Sequence, residues 1–106
     1  TIPSFYDDNE SMLSIGIRKA VKDLDCSQPQ HAQAVEIYST VDTLLLYSES
    51  KGSTDVGEMV APLERTSKAF VERTADKDAS EAYCNIKKKA MAQQSSDIAG
   101  ALMWRY

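Results

Sequence analysis

Apolar residues recur along this chain at the three- and four-residue steps of helices, and the clearest stretch is AVEIYSTVDTLLLY, from Ala34 to Tyr47. Ala34, Ile37, Tyr38, Val41, Leu44 and Leu45 share one helical face, and Val35 and Leu46 widen it on one flank. A stripe this broad is more than one neighbour can cover. The segment is therefore expected to be the central helix of a bundle, contacted from at least two sides, with Leu45 deep in the core.

Three further stripes flank it. Leu13, Ile17, Ala20, Val21 and Leu24 define a first helix, with Ile15 pointing away as a stray surface residue or a contact for something else. Ser27-Gln28-Pro29 breaks the chain, Ser27 or Gln28 serving as cap and Pro29 suiting the first turn of the central helix. Lys51-Gly52 ends that helix, glycine being the residue that takes a left-handed C-terminal conformation without cost. Asp55 and Glu58 have capping spacing and open a third helix through Val56, Met59, Val60, Leu63, Phe70, Val71 and Thr74. Pro62 is expected to kink it or to separate a short helix from a longer one. Asp78 and Glu81 repeat the spacing before a last helix. Its apolar face begins with Ala82, Tyr83, Ile86 and Ala90 and shifts beyond Met91 to Ile98, Leu102 and Met103. The expectation is an all-α, single-domain bundle of four helices, at about 8–25, 29–50, 55–75 and 78–104, preceded by an arm at 1–7 whose aromatics fold back on the bundle.

Composition narrows the function classes. With 106 residues, 42% hydrophobic and 26% charged, one domain can bury roughly two thirds of its unfolded surface. A net charge of -4 argues against nucleic acid as a partner. No apolar run approaches the ~20 residues of a membrane span.

Two cysteines, Cys26 and Cys84, stand far apart, with one histidine and no CxxC. Cys and His alone cannot complete a four-ligand zinc site, which leaves a disulfide or two buried thiols. The disulfide is favoured by position, since Cys26 closes the first helix and Cys84 lies near the start of the last. It would stabilise the fold by ~4 kcal/mol in the chain-entropy model and imply an oxidising compartment.

The search for chemistry is otherwise negative. The glycines stand alone at Gly16, Gly52, Gly57 and Gly100, so there is no phosphate cradle. His31 lies in a polar loop with no acidic neighbour to orient it, and is read as exposed. Glu64, Lys68 and Glu72 follow i,i+4 spacing, the pattern of a solvated face. Lys87-Lys88-Lys89 is the one basic run, read as helix surface or as a contact for an anionic partner. Asn9-Glu10-Ser11 matches the glycosylation sequon, which has meaning only in a secretory eukaryotic setting. No catalytic residue, metal ligand or cofactor is assigned, and the chain is read as a non-enzyme.

The segment from Leu63-Glu64-Arg65-Thr66-Ser67 through Phe70, Asp76 and Glu81 to Cys84 is a leucine-led amphipathic helix, a polar turn, then a cysteine. With the four-helix arrangement and its cysteine placement, it resembles the periplasmic pilotins of type II secretion systems. The resemblance implies a periplasmic, chaperone-like adaptor that captures the C-terminal tail of a secretin. Members of that family carry a lipidated N-terminal cysteine, which has no counterpart here, so an anchor would be trimmed away or absent. Capture would be helix-in-groove, with Ile15, Val35, Tyr38 and Leu46 as the partner-binding residues. The alternative is a small secreted or periplasmic immunity or inhibitor protein, blocking a toxin or hydrolase through the polar tip at Glu49, Lys51 and Asp55.

Overall fold

A computed structural model describes residues 8–103; the expected arm at 1–7 and the end of the last helix at 104 lie outside the described residues. Four helices follow in order, α1 Asp8–Asp23, α2 His31–Ser50, α3 Thr54–Arg73 and α4 Glu81–Met103, with no strand among the described residues. Each packs against its neighbours in a closed ring, α1 on α2, α2 on α3, α3 on α4 and α4 back on α1. Successive helices run antiparallel: the start of α1 meets the end of α2 where Glu10 touches Ser48, and the end of α1 meets the start of α4 where Lys88 reaches Leu24. The seams α1–α4 and α2–α3 are therefore on opposite sides of the ring.

The core is one cluster drawn from all four helices. From α2 it takes Ala34, Ile37, Val41 and Leu44, the expected stripe, while Leu45 packs against its edge and is only partly buried. The stripe is centred on Leu44 rather than Leu45 because Ser48 continues it, a hydroxyl where periodicity looks for carbon. Ser48 donates to Glu10, a fully buried carboxylate on α1 that also has Lys51 at 3.6 Å. Pro62 does not split α3, which is one continuous helix. Proline removes the N–H that Glu58 would otherwise receive. A local network follows it, in which Thr66 donates to the Pro62 carbonyl and Gln94 of α4 donates to Thr66.

The expected change of face in α4 does not occur. Its buried residues, Cys84, Met91, Ser95, Ile98 and Leu102, keep one helical phase from end to end, and Ile86 is 65% exposed. The apolar face read for its first half was the wrong one, since Cys84 points inward and carries the phase with it.

Two ends close the bundle differently. At one, Gly52 takes φ +73, Ser53 N–H bonds Ser48 O and Gly52 N–H bonds Glu49 O, a Schellman turn as expected for this glycine. At the other, the Cys26–Cys84 disulfide spans a Cα–Cα distance of 5.7 Å. Cys26 belongs to the turn after α1, because the helix stops at Asp23, short of the expected end. Beside the disulfide lies Gln30, fully buried, whose amide both donates to Ala79 O (3.1 Å) and accepts from Ala79 N–H (3.0 Å), with a further bond to Cys26 O (3.2 Å). Asp78, expected to cap α4, instead accepts Gln30 N–H at the positive end of α2. The cap of α4 is Ser80, whose hydroxyl accepts Tyr83 N–H. Pro29 likewise precedes α2 rather than opening it, and Gln33 bonds its carbonyl and that of Asp25.

Candidate protein-binding groove

The residues expected to bind a partner are split by the ring. Ile15 is 62% exposed and stands on the α1–α4 seam. Val35 (38% exposed) and Leu46 (58% exposed) stand three turns apart on one face of α2, turned away from its buried stripe. Tyr38 is half-buried on the α3 side of α2, where the carboxylate of Glu64 on α3 adds to the negative charge around its phenol. Burial pushes the Tyr38 phenol up from its ordinary range, and the carboxylates of Asp42, Glu64 and Glu72 add to the shift. Glu64 is itself half-buried, while Lys68 and Glu72 of the same series are exposed. Val35 and Leu46 stay in solvent, and the α2–α3 flank around Tyr38 is acidic, with Asp42, Glu64 and Glu72.

Concavity is found on the other side. Between α1 and α4 runs a groove of about 780 Å³, lined by Ile15, Arg18, Lys22 and Asp23 from α1 and by Lys88, Ala92, Ser95 and Ser96 from α4. It continues into a hollow of about 280 Å³ between Ser11, Ser14 and Ile15 on one side and Ala99, Leu102 and Met103 on the other. The small side chains of α4 are the reason it exists. Alanine and serine at positions 92, 95, 96 and 99 leave the space that Leu or Ile would fill where two antiparallel helices meet. This is the Gln- and Ser-rich part of α4 that carries little apolar signal in the sequence.

The electrostatics of the groove are basic at its disulfide end. Lys19 pairs with Asp23 at 2.7 Å, which lowers the carboxyl and raises the ammonium from their ordinary values, although both are too exposed for the pair to weigh on stability. Lys88 donates to Leu24 O at 2.6 Å, satisfying a carbonyl left open where α1 ends. The basic run is thereby divided: Lys88 turns into the groove, Lys87 lies 5.3 Å from the Tyr83 ring that Arg73 also approaches, and Lys89 stays exposed. Nearby, Asp25 is held below the usual carboxylate range by accepting the Ser27 hydroxyl and then its N–H.

His31 is the first residue of α2, half-buried with Nδ1 3.2 Å from the Thr74 hydroxyl, and so is not the loop residue expected. At the polar tip, Lys51 lies 5.5 Å from the Tyr47 ring and turns toward buried Glu10, so the tip's one cation is drawn back onto the bundle. Among the described residues no group of His, Cys, Asp and Glu could hold a metal ion, and no helix is long and apolar enough to cross a membrane. No protein-family model, no curated protein and no solved structure matches the chain.

Proposed function

We propose that this protein is a non-enzymatic helical adaptor of an oxidising, extracytoplasmic compartment that captures an amphipathic helical segment of a partner protein in the α1–α4 groove. The observation that carries the reading is a groove floored by small residues with Ile15 standing exposed on its wall. Such a seam offers a third helix the close approach and the apolar contact that helix-in-groove recognition requires. The Cys26–Cys84 disulfide supports the compartment, and the resemblance to pilotins makes the periplasm and a secretin C-terminal tail the first setting and partner to try.

Titration of a synthetic secretin-tail peptide against three charge variants tests the proposal, with circular dichroism on the same samples. Ile15→Glu places a carboxylate on the groove wall, where water reaches it in the free protein but not in the complex. It should leave the fold intact and weaken capture by about tenfold or more, on the order of 1.4 kcal/mol. Loss of capture in Leu46→Glu with Ile15→Glu unaffected would move the site to the α2 flank. Loss only in Lys51→Glu would favour an inhibitor acting through the polar tip.

A further inference from the structure

The groove differs in charge from the molecule that contains it. The whole chain carries -4, and α2 contains neither Lys nor Arg, yet the main groove is lined by Arg18, Lys19, Lys22 and Lys88 against one carboxylate, Asp23. That carboxylate is occupied by Lys19. Arg18 and Lys22 make no ion pair among the described residues, and Lys88 is met by a neutral carbonyl. The cations are confined to one end, while Leu102 and Met103 line the other.

We infer that the occupant of the α1–α4 groove is an acidic amphipathic helix of about three turns, its carboxylates meeting Arg18, Lys22 and Lys88 and its apolar side chains lying between Ile15 and Met103. This rests on the adaptor reading above and adds the partner's chemistry and polarity. Length follows from the helix rise: Ser11 to Lys22 spans about 17 Å along α1. Carboxylates follow from complementarity, since exposed guanidinium and ammonium groups that enter an interface unpaired lose hydration with nothing in return. An extended polyanion fits less well. A duplex or an anionic bilayer would face the whole molecule, including the acidic α2–α3 flank, whereas a single helix sunk in the groove sees charges within about 8 Å, the screening length at physiological salt.

Three synthetic amphipathic peptides of that length test this, sharing one apolar end and carrying Glu, Gln or Lys at the other. The Glu peptide should bind about tenfold more tightly than the Gln peptide at low salt, the advantage shrinking as salt is raised. In the Arg18→Glu/Lys22→Glu variant the preference should reverse toward a Lys-bearing peptide, a swap that a merely structural role for these residues would not produce. Equal binding of the Glu and Gln peptides, both abolished by Ile15→Glu, would overturn the acidic partner and leave groove capture standing. Binding of none of the peptides would overturn both. Selective binding of phosphatidylglycerol vesicles or duplex DNA, or a salt-sensitive dimer in sedimentation that Lys22→Glu dissolves, would assign the basic end to another occupant and also overturn the inference.

Discussion

Gln30 shows how much one side chain can organise. Its amide answers both backbone groups of Ala79 and the carbonyl of Cys26, so a buried loop that could not reach water is satisfied from a helix start on the far side of the sequence. Gln30→Ala should cost about 2–4 kcal/mol, read as a lower urea midpoint with unchanged m-value, because it strands buried donors and acceptors as well as removing bonds. Gln30→Glu should be no better, since a carboxylate cannot donate to the two carbonyls. Nothing in Ser27-Gln28-Pro29-Gln30 marks the last residue as special. Periodicity sees apolar side chains, whereas Gln30 is buried by its partners. The same blindness applies to Glu10, which enters the sequence reading only as the middle of a sequon and is buried against Ser48. Asp78 misled differently, for its spacing to Glu81 is that of a cap, but its carboxylate serves α2.

At the scale of elements, α4 is the informative case. Its outer face carries Ile86 and exposed alanines, and its inner face carries Ser95, so hydrophobicity alone gives weak direction. Ile86→Glu should shift stability by no more than about 0.5 kcal/mol. Met91→Glu, one residue of the true face, should prevent folding by burying a carboxylate with no partner. A thermal melt of the two variants separates the phases, and the opposite ranking would mean α4 is rotated from the position described. The α2 stripe, the α1 stripe and the Gly52 turn were legible because several residues agreed on each. The groove was not, because it is made by small side chains and so by what is missing from a pattern. Of the binding residues expected from the sequence, Ile15 lies on the groove, and it stood out only as an apolar residue off its stripe.

The molecule as a whole is crosslinked at one end and open at the other. The disulfide joins the loop after α1 to the first turn of α4, while the first residues of α1 and the last of α4 lie together beside the Gly52 turn. This arrangement has a mechanical consequence. Tension applied through the two chain ends peels α1 away from α4 and stops at the sulfurs, because the 58-residue separation between Cys26 and Cys84 is shielded from load. In an optical trap, adding reductant should lengthen the fully stretched protein by about 200 Å. Before that limit, the first seam to part is the one that holds the groove. A pull on the ends would therefore empty the groove first, while the chain between Cys26 and Cys84 stays closed behind the crosslink.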